Sequence, residues 1–527
     1  MSNWFDLQLA LQQGRANRRD FLKYSAALGV SVAVANSVLA TTARAETPTK
    51  GGVLKMALAG GSSTDSLDPR TFGDNVPIVT GYCLYNSLVE IDADGNATPE
   101  LAESWEAKSG AVEWIFNIRK GVTFSNGKTL DADDIIYSIN LHRGADTTSG
   151  AAATMKPIKD IQKLSAYQIL ITLENADAEM PTLFADFHMH VVPNGFTDWA
   201  NPIGTGAFTL ESYQPGVRAA FKKRDGYWKA GRGHLDGIDI TVVKDPMARI
   251  NALVAGSVDV MNRVDSKSAP LLQGGNLKLV QSPGASHYTA PMLIDKKPFD
   301  DINLRLALKY ALDREEVVKT VLSGFGLVGN DHPISPNDPA CNTSLSQYVY
   351  DPDKARFHAE KAGLGATELT LTCADAGFLG AVDFGVLYQA SAAKAGINIK
   401  VDRQPDDGYW DNVWLKAPWC TSGWQARPTA TQMLSIGYLS DAPWNDTHWR
   451  SAAFDKLLIE TKAELDATKR KANLWELQRM LHDDGGQIVA VFADRLEACS
   501  EKVGGLTPHR LSEMDNGRIG EKAWLIS

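Results

Sequence analysis

The sequence predicts an α/β protein made of more than one compact unit, and three observations lead there. The chain has 527 residues, well beyond the size at which a single hydrophobic core stops growing. Its composition, 44% hydrophobic and 22% charged, is that of an ordinary folded protein without disordered or collagen-like bias. Segments with strand-like alternation are interleaved with segments of helical periodicity along the whole chain.

The first element is a leader. Asn17-Arg18-Arg19-Asp20-Phe21-Leu22-Lys23 precedes an uncharged stretch from Tyr24 to Ala40, followed by Ala43-Arg44-Ala45. Paired arginines ahead of a modest apolar segment closed by small residues read as a twin-arginine export signal over residues 1–45, cut before Glu46. That stretch is too short, and too rich in Ala, Ser and Gly, for a bilayer needing roughly 20 strongly apolar residues. No later segment approaches transmembrane length, and no cysteine near the cut offers a lipid anchor. The expectation is a soluble protein of the periplasm.

Removal of the leader takes 5 basic and 2 acidic residues and leaves a net charge of −13. Without a basic run or a basic aromatic stripe, the chain is not expected to bind nucleic acid or anionic lipid. The five cysteines, Cys83, Cys341, Cys373, Cys420 and Cys499, lack CxxC spacing and so do not read as a metal site. An oxidising compartment would let some of them pair, and the odd count leaves one free in a monomer.

Gly51 to Leu58 alternates as an opening strand, and Glu113 to Arg119 places Trp114, Phe116 and Ile118 on one face. Asp245 and Pro246 supply an N-cap and first-turn proline for a helix through Val254, with Gly256 placed to end it and a strand from Val258 to Met261 following. Asn303 is expected to cap a helix bearing Leu304, Ala307, Leu308, Ala311 and Leu312 and ending near Gly324. Strand signals at Leu369 to Thr372 and Ile397 to Val401 flank a helical stretch, as in a βαβ unit. A helical pair runs from Phe454 through Leu458 and, after Asp466, from Leu474 to Leu481.

The signatures of an NTPase, a zinc peptidase and an α/β-hydrolase are all missing from the sequence. Gly324-Phe325-Gly326-Leu327-Val328-Gly329 fits GxGxxG, but follows a helix, whereas a dinucleotide fingerprint must follow a strand and open a helix. His188-Met189-His190 lacks the accompanying cysteines or carboxylates of a metal centre, and the pairs among Asp131, Asp133, Asp134, Asp483 and Asp484 read as helix-end residues. No catalytic residue, cofactor or metal is expected.

Several segments occur in a fixed order: Thr98-Pro99-Glu100-Leu101-Ala102-Glu103-Ser104-Trp105, Trp114 to Phe124, Gly127 to Ile135, Pro202-Ile203-Gly204-Thr205-Gly206-Ala207-Phe208, Tyr227-Trp228, Ala311-Leu312-Asp313-Arg314, and Tyr350 to Arg356. Together they closely resemble the extracellular solute-binding proteins that serve peptide, opine and nickel ABC importers, over a span from about Gly51 to beyond Gly505. The resemblance implies a two-lobed α/β periplasmic binding protein fold with a hinge, its first lobe enlarged by an inserted subdomain. It places the first lobe at 46–286, with the insertion at about 95–200, the second at 287–487, and a return to the first at 488–527. It implies a monomer that captures a small-molecule or peptide-like ligand and hands it to membrane permease and ATPase subunits. An exported hydrolase reusing the fold, or a sensor subunit, are the rival readings.

Relatives that bind peptides often carry an aspartate a few residues after a tryptophan to hold the ligand's amino group. In the matching segment here, Pro418 to Thr429, alignment on Trp424 puts Arg427 at that place, and alignment on Trp419 puts Ser422 there. A guanidinium pairs with a carboxylate or phosphate through two parallel hydrogen bonds, so an acidic group on the solute is expected to meet Arg427; an interlobe or surface salt bridge is the alternative role. Tyr409, Trp410, Trp414, Trp419 and Trp424 offer aromatic surface for an apolar ligand body, with Trp424, Trp410 and Tyr409 as candidates for the pocket. In the first lobe the resemblance points to Asp65, Ser66 and Tyr82, with turn-capping the alternative for Asp65.

Overall fold

The computed structural model describes residues 48–108 and 110–526; the leader over 1–45 lies outside them. Among the described residues the largest sheet has nine strands. Its first half holds Val53–Leu58, which pairs in parallel with Gly237–Val242 and Val260–Met261, and the antiparallel strands Arg218–Lys223 and Phe208–Gln214. Leu54, Met56, Phe208, Phe221 and Ile240 of these strands pack with the helix Asn75–Leu84 to form the core of the first lobe.

A four-stranded antiparallel sheet, Ala102–Lys108, Glu113–Ile118, Gln168–Leu173 and Ile158–Ser165, builds a second core around Trp114, Phe116, Ile135 and Ile171. The expected inward face of Trp114, Phe116 and Ile118 is buried. Asp131 caps the helix Ala132–Asn140 in a reciprocal box with Asp134, the helix-end role anticipated for this acidic cluster. The second lobe contains the parallel pair Glu368–Cys373 and Asn398–Arg403, joined through the helix Ala381–Ala393. Leu308, Leu371, Phe384, Tyr388 and Trp419 sit at its centre.

Two long antiparallel strands run through both lobes. Leu277–Thr289 pairs with Val489–Ser500 from Leu277 opposite Ser500 to Thr289 opposite Val489, with a register shift between Ser282 and Ser286. On one side of the shift Val489–Ser500 pairs with Val260–Met261 of the first lobe; on the other, the two strands pair with Ser422–Trp424 and Gly326–Val328 of the second. At the shift, a Cβ on Gly284 would lie 1.5 Å from the Ala493 carbonyl oxygen, so only glycine permits this approach. The bulge re-aims both strands where they pass from one core to the other.

Several local expectations need correction. The helix expected from Asn303 begins at Ile302, because the Asp301 side chain accepts the Asn303 N–H (2.7 Å) and is the cap. It stops at Ala311, and Asp313 caps a separate helix, Arg314–Thr320. The strand expected over Val258 to Met261 shrinks to Val260–Met261. Gly326–Val328 within the GxGxxG match is a strand paired with Val491 to Ala493, not a loop opening onto a helix. His188 and His190 lie in a loop, and a carboxylate does stand beside His188, Asp186 Oδ1 being 2.6 Å from its Nδ1. All five cysteines are free and buried. No described helix is long and apolar enough to cross a membrane.

Candidate functional site

The lobes meet across a set of polar contacts. From the second lobe, Lys462 Nζ lies 3.4 Å from Asp177 Oδ2 and Arg470 Nε 3.7 Å from Glu179 Oε1. Gln432 donates to the Thr182 hydroxyl (3.3 Å) and Thr431 donates to Glu179. Arg510, from the C-terminal stretch that returns over the first lobe, donates to Asp338 and to the Pro428 carbonyl (2.9 Å). The molecule is therefore described with its lobes in contact.

Arg427 sits beside this seam, on the chain leaving the strand Ser422–Trp424. Its Nη1 donates to the carbonyls of Gln425 (3.0 Å) and Ala426 (3.1 Å), both on its own segment. Among the described residues it forms no ion pair, and its Nε–Nη2 edge has no protein partner. Burial pushes its pKa down, with Asp186 across the seam acting in the opposite direction. The Asp186 carboxylate is already engaged by the backbone N–H and ring nitrogen of His188. A partly desolvated guanidinium can pair with a carboxylate or phosphate through two parallel hydrogen bonds.

Trp424 pairs in register with His287 on the crossing strand, their rings parallel with centroids 6.4 Å apart. It is 4% exposed, and its indole N–H donates to Asp446 Oδ2 (3.3 Å), as does that of Trp414 (3.2 Å). Burial raises the Asp446 carboxyl to about 6 and depresses His287 to about 3. His287 is thus neutral and leaves Arg427 as the cation of this corner.

The other sequence candidates are spread apart. Tyr409 is buried, with its hydroxyl donating to the Thr421 carbonyl (2.9 Å), so its polar tip is spent inside the second lobe. Trp410 is 42% exposed and meets Tyr409 and Trp414 edge-on. Asp65 closes a turn, its carboxylate accepting the Ser62 N–H (2.7 Å), and the Ser66 hydroxyl accepts the Asp68 N–H (3.0 Å). Tyr82 is enclosed in the first lobe between His190 and the guanidinium of Arg518, which lies 4.2 Å from its ring centre. The structure brings Arg427 and Trp424 to one corner and leaves Asp65, Ser66 and Tyr82 engaged elsewhere. Arg495 on the crossing strand escaped sequence reading. The available signal was the charged triplet Asp494, Arg495 and Glu497 inside the otherwise apolar run from Ile488 to Cys499.

Three buried carboxylates, Glu90, Glu100 and Glu521, approach closely enough to suggest a metal cage, with oxygens within 4.8 Å of one another. Cations fill that role. Arg518 grips Glu100 with two parallel contacts of 2.7 Å, and Lys229 reaches Glu90 (2.5 Å), Glu100 (3.1 Å) and Glu521 (3.2 Å). Lys522 lies 3.5 Å from Glu90 and Arg232 lies 3.6 Å from Glu521. This matched cluster ties the inserted subdomain, the first lobe and the C-terminal stretch together.

Two α/β lobes joined by continuous crossing strands, with a seam between them holding an unanswered arginine, define a two-lobed solute-binding protein. The model of the bacterial extracellular solute-binding proteins, family 5 (middle), matches residues 96–446, and the chain belongs to this family. It is 24% identical over 502 residues to the dipeptide-binding protein of Escherichia coli (strain K12), covering 84% of this chain and 90% of that one. Among solved structures, HbpA2 from Haemophilus parasuis superposes with a TM-score of 0.80 at 19% identity, covering 90% of this chain and 100% of that one. The periplasmic binding protein DppA from Helicobacter pylori in complex with the peptide STSA gives a TM-score of 0.73 at 22% identity, covering 91% and 99%. Proteins of this family bind peptides and other small molecules for ABC importers.

Proposed function

We propose that this protein is the periplasmic substrate-binding subunit of an ABC importer, a monomer without catalytic residues that captures a small, peptide-like organic solute bearing an acidic group. In this reading the first lobe spans about 46–286 and 488–527 and the second about 287–487, with the paired strands Leu277–Thr289 and Val489–Ser500 crossing between them. Solute contacts made from both lobes exist together only when the lobes close, so binding shifts the hinge equilibrium and presents the closed form to the permease. Residues 1–45 direct export and are absent from the working protein.

The observation that carries this reading is Arg427, mostly buried beside the seam and without an ion pair among the described residues. A ligand carboxylate at its free edge supplies the missing charge, and Trp424 behind it shapes the wall. The kinship with a dipeptide-binding protein fits a ligand of this size, with the acid recognised here in place of the amine.

The test is a calorimetric titration of ligand-free wild type, Arg427→Lys and Arg427→Ala with the solute released from freshly purified protein and identified by mass spectrometry. The expected outcome is an affinity loss of about tenfold or more for Arg427→Ala, the scale of a hydrogen bond to a charged group, and a partial loss for Arg427→Lys. Unchanged affinity in both would remove Arg427 from the site.

A further inference from the structure

Arg427 has a counterpart at the hinge. Arg495 stands opposite Ser282 on the strand Val489–Ser500, immediately after the register shift at which the strand passes from the second lobe into the first. Its Nη1 donates to the carbonyl of Arg510 (3.0 Å) and its Nη2 to the hydroxyl of Ser286 (2.9 Å). Neither partner carries charge at that atom. Like Arg427, Arg495 forms no ion pair with a described residue.

The carboxyl groups that act on it electrostatically are otherwise engaged, as is its chain neighbour Asp494, which accepts from Gln281 and the Gly284 N–H. Glu513 accepts from Asn262 (3.0 Å) and lies 3.5 Å from Arg263. Glu497 is fully buried, accepts the N–H of Met514, and is driven up to about 8 by burial, which keeps it neutral near pH 7. Burial also pushes the Arg495 guanidinium down, against the pull of Glu513.

A short chain of contacts joins the two arginines. Arg495 donates to Ser286 (2.9 Å), Ser286 donates to the Gln425 side chain (3.3 Å), and Arg427 donates to the Gln425 carbonyl (3.0 Å). One arginine belongs to the hinge and the other to the second lobe, so both face the same seam from different bodies. Burial depresses both guanidinium groups, and neither has an ion-pair partner among the described residues, so an anion reaching either one would gain a charged hydrogen bond.

We propose that Arg495 is a second anion-binding residue of the cleft, so that the solute is a small organic dianion with one acidic group on Arg427 and another on Arg495. This rests on the reading that Arg427 holds an acid, and the test separates the two. Solute released from denatured wild-type protein is methyl-esterified and weighed. Two or more added methyl groups are expected. One methyl group would overturn the Arg495 assignment and leave Arg427 in place; none would overturn both.

If no solute is released, binding of N-acetyl-glutamate and N-acetyl-glutamine decides, because the pair matches in shape and differs by one negative charge. Wild type is expected to prefer the dianion by about tenfold to a hundredfold, the range of a charged hydrogen bond. Arg495→Gln should abolish the preference, Arg495→Lys should retain part of it, and Arg427→Gln should weaken both ligands. Circular dichroism and the unfolding midpoint establish that each variant is folded. A wild type without the preference, or an Arg495→Gln variant that keeps it, would overturn the proposal.

Discussion

Two groups of buried charge in this molecule differ in one respect. Around Glu90, Glu100, Glu521 and Asp515, four carboxylates meet Lys229, Arg232, Arg518 and Lys522, and every charge finds an opposite within the protein. At the hinge, Arg427 and Arg495 find none among the described residues. Against the cost of burial, Arg518 and Lys229 hold the Glu90 carboxyl well below the usual carboxylate range. Arg427 and Arg495 are instead depressed by burial that their neighbours do not offset. The first group is a structural tie. The second is desolvated charge that the fold maintains without a partner, and such charge is costly unless something outside the chain completes it.

Removing one member of the matched group should have the largest effect. Arg518→Met leaves Glu100 buried and unanswered and strips the cation from the Tyr82 ring. A loss of about 3–5 kcal/mol in unfolding free energy is expected, measured by urea denaturation, with solute affinity unchanged in the folded fraction. A loss below about 1 kcal/mol would erase the distinction between the two groups.

Arg427→Gln should do the reverse. Unfolding free energy should stay within about 0.5 kcal/mol of wild type, as for a substitution that breaks no internal pair, while solute affinity falls by about tenfold or more.

A smaller effect follows from Glu497. Its carboxyl is raised by burial to about 8 in the folded protein, above the value of roughly 4.3 in an unfolded chain. Between those values the folded form holds the proton and the unfolded form does not. Its contribution is therefore complete below about pH 4 and is lost as pH rises toward 8. Glu497→Gln should flatten the fall in stability between about pH 5 and 8, read from unfolding midpoints across that range. A slope identical to wild type would show that another group is responsible.

The smallest effect is expected at Trp410, which is 42% exposed. Trp410→Ala should change stability by no more than about 1 kcal/mol and leave solute affinity unaltered, unlike Trp424→Ala, which removes a buried wall. An affinity loss at Trp410 comparable to that at Trp424 would move the pocket outward.

The sequence made the architecture legible and the site only partly so. Alternation and capping gave the strands at Val53–Leu58 and Glu113–Ile118, the helix Pro246–Val254 behind Asp245, and the βαβ unit around Ala381–Ala393, because periodicity and caps are local. Asp301 was passed over in favour of Asn303 because both are capping residues and only the backbone decides between them. Aromatic density around Tyr409 to Trp424 could not separate wall from core, since the difference lies in where hydroxyls and indoles find partners. Tyr409 finds Thr421, whereas Trp424 finds Asp446, 22 residues away. Arg495 carries no motif. Its setting depends on a bulge and on strand pairings more than 200 residues apart in the chain.

The most direct measurement compares ligand-free and solute-saturated wild type and Arg427→Gln by thermal unfolding under identical conditions, since a ligand specific to the folded state raises stability by mass action. The expected result is equal midpoints without solute, and a solute-induced rise that is present in wild type and lost in the variant. A variant that unfolds several degrees earlier without solute yet keeps the full rise would make Arg427 a structural residue like Arg518 and contradict the central claim.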